Sequence, residues 1–346
     1  MNRNHAPPYV EVGPTSHFGL GEAIGEHLRD AVREQCDKVL RLFLAYAERA
    51  ALAPIAERIL SRGSRVFPSY VEELRGMAVG AGVDVHELVL TCMEESVMTT
   101  LRERCTTIAL ADRGEVLLGH NEDWAPGYED GLYVVQAELH DGRSFLSLAY
   151  TGSLPGSSVA LNSDGIAFSG NSILTSHQPG LPKNLILRSQ IEARTLEEFV
   201  QRATVGPRTI PNNTMAVDRA GRIVNVELGL CDHALHHAEG GYAVHTNHVL
   251  SEDLRHLDTV DRPCSKARRK TAKEMLSGAE PTKDLMKRIL RSHDRWPHSV
   301  CLHAQSDHYD DSQTVASAIV DLSAMSMAVT KGPPCGSEYV TYRLKS

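Results

Sequence analysis

The chain has 346 residues, 42% hydrophobic and 23% charged, with a formal net charge of -8 and a pI near 6.1. That length can bury a large core, as one big domain or two, and the acidic balance argues against a general nucleic-acid binder, whose footprint is a basic domain. The seven cysteines (Cys36, Cys92, Cys105, Cys231, Cys264, Cys301 and Cys335) are scattered, odd in number and never paired as Cys-x-x-Cys, which argues against a disulfide framework or a zinc ribbon. Met1 to Gly19 lacks the apolar run of a signal peptide, no stretch is long enough for a membrane span, and the last four residues are not a Ser-Lys-Leu signal. A reducing, cytoplasmic location with no membrane association is the expectation.

Residues 20 to 100 read as helical. Ile24, Leu28, Val32, Cys36 and Leu40 recur every four positions. Ser69 is the expected cap of a helix broken by Gly80 and Gly82, and Asp84 with Glu87 resembles a capping box for Val85 to Thr91. At residue 104 the period changes. Strands are expected at Cys105–Ala111, Val116–His120, Leu132–His140, Ser144–Tyr150, Ser157–Asn162 and Gly165–Ser169, joined by Asp-Arg-Gly and Asp-Gly turns. Helices at Pro182–Ala193 and Leu196–Ala203 follow, then strands at Thr214–Asp218, Ile223–Leu228 and Tyr242–Thr246. Helices at Ser265–Leu276 and Thr282–Arg291 precede final strands at Thr314–Asp321, Ser326–Thr330 and Tyr339–Leu344. Runs of strands, then helices, then strands suit an α+β fold of antiparallel sheets with helices on their outer faces. No phosphate-binding glycine loop appears.

Cys105 leads the first strand, and Asp123 lies beyond the end of its hairpin partner. A free cysteine is usually a small buried residue. Here its position suggests a nucleophile that becomes a new N-terminus by attacking the carbonyl of Arg104. The freed α-amine, titrating near ~7.7–8.0, would serve as its base. Asp123 can hold that amine. Asn171 and Asn247 follow strands and carry neutral amide donors suited to an oxyanion, although each alone is more often a turn residue. Histidines 293, 298 and 303, with Asp307 and His308, are spaced so that they share no helix or strand face, so no metal site is expected. Lys266, Arg268, Arg269, Lys270 and Lys273 make a basic helix that can meet coenzyme A phosphates, with a solvated face as the plainer account.

The order of Tyr70-Val71-Glu72-Glu73-Leu74-Arg75-Gly76, Cys105-Thr106-Thr107, Gly119-His120-Asn121-Glu122-Asp123-Trp124, Leu161-Asn162-Ser163-Asp164-Gly165, His245-Thr246-Asn247-His248, Pro297-His298-Ser299-Val300-Cys301 and Thr314-Val315-Ala316-Ser317 resembles the acyl-coenzyme A:6-aminopenicillanic acid acyltransferase family of self-cleaving N-terminal-nucleophile hydrolases. The resemblance implies a four-layer αββα fold and cleavage between Arg104 and Cys105. It divides the chain into a mainly helical prosegment, 1–104, and a catalytic part, 105–346, packed as one unit. It assigns Cys105 as nucleophile, Asp123 as the residue beside its amine and Asn247 as an oxyanion donor, with Asn171 similar to an active-site asparagine of bile-salt and penicillin V hydrolases. Two departures stand out. The family's cleavage site is commonly Gly-Cys, not Arg104-Cys105, and Asp310-Asp311 replaces a Ser-Arg pair, exchanging a cation for anions in the expected substrate pocket.

The reading is an autoprocessed cysteine amidohydrolase acting on a small N-acyl amide or acyl-thioester. The alternatives are an acyltransferase on the same site and an uncleaved binding protein of the same fold. No cofactor is required, a coenzyme A thioester is open as a co-substrate, and association of the cleaved chains with each other is expected, with homo-oligomerisation left open.

Overall fold

The computed structural model describes residues 6–45, 47–97, 105–173, 176–238, 240–305 and 311–345. The chain opens with β1 (Tyr9–Thr15) and the helices α1 (His17–His27), α2 (Arg29–Leu44), α3 (Arg49–Val66), α4 (Pro68–Ala81), α5 (Val85–Thr91) and the single turn α6 (Glu94–Val97). From Cys105 onward come β2 (Thr106–Asp112), β3 (Glu115–Trp124), β4 (Leu132–Leu139), β5 (Ser144–Tyr150), β6 (Val159–Asn162) and β7 (Ile166–Ser172). Then follow α7 (Lys183–Gln190), α8 (Leu196–Ala203), β8 (Asn212–Asp218), β9 (Ile223–Leu228), β10 (His233–His237) and β11 (Tyr242–His245). The chain ends with α9 (Pro263–Leu276), α10 (Lys283–Leu290), β12 (Gln313–Asp321), β13 (Ser326–Lys331) and β14 (Val340–Arg343).

The strands form an eight-stranded sheet, β1-β4-β5-β6-β7-β8-β9-β10, and a six-stranded sheet, β11-β2-β3-β12-β13-β14. Strand pairs are antiparallel save β1 with β4, which run parallel. Side chains alternate between two faces along a strand, and that alternation sorts the core into layers. On β2, Ile108 and Leu110 pack with α9 and α10, while Ala109 faces the other sheet. On β3, Leu117 points to the same helices while Val116 and Leu118 enter the space between the sheets. On β7, Ile166 and Phe168 meet the N-terminal helices and Ala167 faces inward. The result is helices, sheet, sheet, helices: the expected αββα sandwich.

The helices before Cys105 share one core with the strands after it; Leu20, Ile24, Val71 and Leu74 are buried with Tyr133, Phe145 and Phe168. Glu73 on α4, fully buried, meets the equally buried Arg188 on α7 at 2.9 Å. α1 and α4 cross at glycines. A β-carbon on Gly76 would lie 1.9 Å from the Phe18 carbonyl oxygen, and one on Gly80 would lie 2.1 Å from that of Glu22. Gly80 is therefore inside α4, not at its break; only Gly82, in the left-handed conformation with φ 67°, caps it. The helix starts at Pro68 and not at a Ser69 cap, proline being suited to the first helical position. Asp84 caps α5 as expected, its carboxylate accepting from the His86 N–H at 2.7 Å.

In an exposed helix, glycine to alanine stabilises by roughly 1 kcal/mol. Gly76→Ala should do the reverse, lowering stability by about 1–3 kcal/mol through overpacking against α1. Thermal denaturation checks the sign, and a raised Tm would show that the two helices can separate freely.

Candidate active site

Extended through Trp124, β3 carries its even-numbered side chains into the layer between the sheets, and β2 carries its odd-numbered ones there. Cys105, Thr107, His120, Glu122 and Trp124 thus line one end of that layer. The sequence reading ended this strand at His120; the structure continues it, paired with β12 as far as Trp124↔Gln313. Ser169 and Asn171 of β7 face them across the layer. Asp123 and Asn171, which the sequence pattern placed after strands, are therefore part of strands, whereas Asn247 does follow β11.

Cys105 is buried and holds φ 68°, a left-handed conformation rare for a residue with a β-carbon. Such strain costs on the order of 1–3 kcal/mol and persists where surroundings impose it. The Cys105 N–H donates to Asp123 Oδ2 at 3.1 Å, and the Arg268 guanidinium donates to its carbonyl oxygen. Asp123 Oδ1 accepts from the Thr314 hydroxyl at 2.6 Å. Burial pushes the Asp123 carboxyl up to about 6, against the pull of the Arg268 cation 3.8 Å away.

The Cys105 thiol donates to Glu122 Oε1 at 3.3 Å. Glu122 Oε2 accepts from the Ser158 hydroxyl at 2.5 Å and lies 3.1 Å from His120 Nε2. His120 Nδ1 is in turn 2.6 Å from the Ser169 hydroxyl and 2.9 Å from that of Thr107. Burial alone would raise the Glu122 carboxyl, but His120 and Ser158 outweigh it and hold it below its ordinary range. Burial, then the Glu122 and Asp123 charges, push the thiol well above its ordinary value. A thiol so raised needs a base beside it, and Glu122 is in contact.

Asn171 follows Ser169 on the same face of β7, and Asn247 is tied to Cys105 through Arg268. Asn171 is buried, and neither its amide nitrogen nor its oxygen has a partner among the described residues. A buried amide without partners is costly. Asn247 instead donates to the Ser172 carbonyl at 3.0 Å and accepts from Arg268 at 2.6 Å. Its second amide hydrogen stays available. Asp311 accepts from the backbone N–H groups of Gln305 and Ser312, so its carboxylate orders its own loop. Arg104 and Asp310 lie outside the described residues. Beside Glu122 opens a pocket walled by Trp124, Tyr128, Tyr150, Glu94, Glu95 and Lys183. Glu95 accepts from Lys183 at 2.6 Å and from the Ser172 hydroxyl at 3.1 Å, so α6 closes one side.

A family model for acyl-coenzyme A:6-aminopenicillanic acid acyl-transferase matches residues 110–334, well over half of the chain, beginning just after Cys105. The chain belongs to this family. It is 29% identical over 174 residues to the β-alanyl-dopamine/carcinine hydrolase of Drosophila melanogaster, covering 45% of this chain and 42% of that one. It is 25% identical over 281 residues to an acyl-coenzyme A:6-aminopenicillanic-acid-acyltransferase of Emericella nidulans, covering 78% of this chain and 76% of that enzyme. Among solved structures, an N-acylethanolamine-hydrolyzing acid amidase orthologue of Caenorhabditis elegans superposes with a TM-score of 0.45 at 14% identity, covering 63% of this chain and 93% of that one. The relatives matched by sequence are named as a hydrolase and an acyltransferase.

Within this acyl-transferase family member, sequence reasoning missed Glu122, His120 and Arg268. The first two were legible: once β3 is drawn through Trp124, period two places them on the face of Cys105. Arg268 was read as one of a solvated run of cations. The structure corrects that. Arg268 is fully buried, and besides the Cys105 carbonyl it reaches Thr106 Oγ1 at 2.8 Å and Asn247 Oδ1. Arg268→Met should cost about 3–5 kcal/mol in denaturant unfolding, because it strands the buried Asp123 charge. Arg268→Lys should recover little of it, since one ammonium nitrogen cannot span acceptors that Arg268 reaches from two separate nitrogens. A wild-type midpoint in either variant would remove Arg268 from the centre of this site.

Proposed function

We propose that the protein is an autoprocessed cysteine amidohydrolase that cleaves an N-acyl amide. The observation that carries the reading is the contact set of Cys105: thiol on Glu122, backbone N–H on Asp123, left-handed backbone between them. In the uncut chain no α-amine exists to serve as base. Glu122, kept ionised, takes the thiol proton, and the thiolate attacks the Arg104 carbonyl carbon. The departing nitrogen of Cys105 needs a proton, and Asp123 is in hydrogen-bonding contact with it. A carboxyl raised to about 6 is a competent donor there. Water then hydrolyses the thioester and leaves Cys105 with a free α-amine beside Asp123.

In turnover the freed α-amine of Cys105 takes the thiol proton, the thiolate attacks the substrate amide carbon, the α-ammonium returns that proton to the leaving amine, and water releases the carboxylic acid. Asn171 and Asn247 are the donors for the oxyanion. Acyl transfer to an amine would need only a different acceptor. Hydrolysis is favoured because the cations offered for coenzyme A phosphates are partly spent: Arg268 is buried and Arg269 donates to the Val244 carbonyl at 3.1 Å. The substrate pocket suits a cationic amine. Its aromatic rings meet at tilted angles, with Trp124 and Tyr128 centroids 5.2 Å apart, and Lys38 Nζ sits 3.2 Å from the Tyr128 centroid, showing that this ring face attracts a cation. The Drosophila relative is named for a β-alanyl amide, whose acyl part ends in an amine.

Intact-mass analysis should find two pieces, the larger beginning at Cys105, and a fully active single chain would sink the reading. Cys105→Ala should abolish cleavage and turnover, Cys105→Ser should impair both, and Glu122→Gln should leave a folded, slowly cut precursor. The rate of self-cleavage should fall as pH rises through about 6, because the protonated Asp123 that donates is lost there. Asp123→Asn should remove that dependence.

A processed Asn171→Ala enzyme should lose ~10²–10³ in kcat with a smaller change in KM, since an oxyanion contact is made mainly in the transition state. Steady-state kinetics on a panel of N-acyl amines decides it; an unchanged kcat leaves Asn247 as the sole candidate.

A further inference from the structure

We propose that His293, Cys301, His303 and Cys335 form a tetrahedral zinc site that braces the nucleophile's support from behind. Their four ligand atoms lie within 4.8 Å of one another. His293 Nε2 is 3.1 Å from His303 Nε2, which is also 3.6 Å from the Cys301 sulfur and 3.2 Å from that of Cys335. A zinc ion with bonds of about 2.0–2.1 Å to nitrogen and about 2.3 Å to sulfur spaces its ligands by about 3.3–3.8 Å. Hydrogen bonding does not account for the cluster. Three partners converge on one ring nitrogen, which offers a single proton or a single lone pair. A metal at the centre satisfies all four atoms at once.

Two thiolates and two imidazoles are the donor set that selects zinc. Three ligands come from one stretch, His293 to His303, and the fourth from the turn at Cys335, both held by backbone hydrogen bonds. Cys301 N–H donates to the Ser292 carbonyl at 3.0 Å, and Ser299 donates to the Cys301 carbonyl at 2.7 Å. Arg291 donates to the Pro334 carbonyl at 2.8 Å, setting the turn that carries Cys335. Trp296 packs against both imidazoles, with centroids 6.1 Å and 5.7 Å away. Binding replaces the two thiol protons with one Zn²⁺, giving a neutral centre. All four positions are filled by protein, so the site is structural and not hydrolytic.

Its reach into the active site is short. Leu302, between two ligands, donates its N–H to Thr314 Oγ1 at 2.9 Å, and Thr314 donates to Asp123. Val300 accepts from Asn121 at 2.9 Å. The ion thus pins the strip that positions β3 on both sides of Glu122. The spacing of the histidines hides this arrangement, because Cys335 arrives from another part of the chain.

The test is metal analysis of untagged, reduced protein. One site complicates the count: Cys105, His120 and Glu122 also cluster. The measurement is therefore made on wild type and on Cys105→Ala, which also separates it from the self-cleavage reading. Both should carry about one zinc per chain and, reconstituted with cobalt(II), show a tetrahedral thiolate spectrum. Cys335→Ala and His293→Ala, each altering an exposed ligand, should lose the metal while keeping wild-type circular dichroism, and Cys335→Ala should slow turnover. Zinc absent from wild type after incubation with zinc and desalting would overturn the proposal, as would zinc retained undiminished in the Cys335→Ala, His293→Ala double variant or a Cys301–Cys335 disulfide in the purified protein.

Discussion

A single buried guanidinium organises this protein. Taking an arginine out of water is expensive unless every donor finds an acceptor, and Arg268 finds the carbonyl of Cys105, the hydroxyl of Thr106, the amide oxygen of Asn247 and the charge of Asp123. Those groups sit on three different elements. The cation therefore fixes where α9 lies on the second sheet, where the turn after β11 ends, and how Cys105, just ahead of β2, is twisted. Remove it and the left-handed Cys105 loses the hydrogen bond on its carbonyl.

Around that anchor β3 separates two carboxylates that are neighbours in sequence. Glu122 points between the sheets, and hydrogen bonds from His120 and Ser158 keep it charged. Asp123 turns toward the helical side, where burial outweighs the nearby cation and raises its carboxyl. Pairs of acids pushed apart in this way are how one site keeps a base and an acid ready at the same pH. The alternation of the strand does the separating.

Much of this was legible in the residues, and the failures have physical causes. β5, β9 and α8 have the bounds that their periodicity implies, since each buries one clear face or two. β1 and β10 were missed; both are sheet edges with alternating exposed polar residues, which read as loop. Gly80 was read as a helix breaker because local propensity carries no knowledge of a neighbouring helix. Arg268 was read as solvated for the same reason: a run of cations shows its spacing along the chain but not which member the fold will bury. Asp123 and Asn171 were read as lying after strands, because polar side chains look like strand ends; backbone pairing with β12 and β8 carries both strands on through them. Cys335 could not be tied to His303, because nothing local links residues from segments that only the closed sandwich brings together.

The crossing of α1 and α4 has a consequence for the folding reaction itself. Residues before Cys105 supply the edge strand β1, half of one hydrophobic layer and the acid that pairs with Arg188. A break ahead of Cys105 would not free them. It would instead turn a molecule that refolds by itself into two chains that must meet in solution, with a recovery that depends on concentration. Covalent continuity would then be needed once, during the first folding, and persistence afterwards would rest on how slowly those tightly seated helices let go.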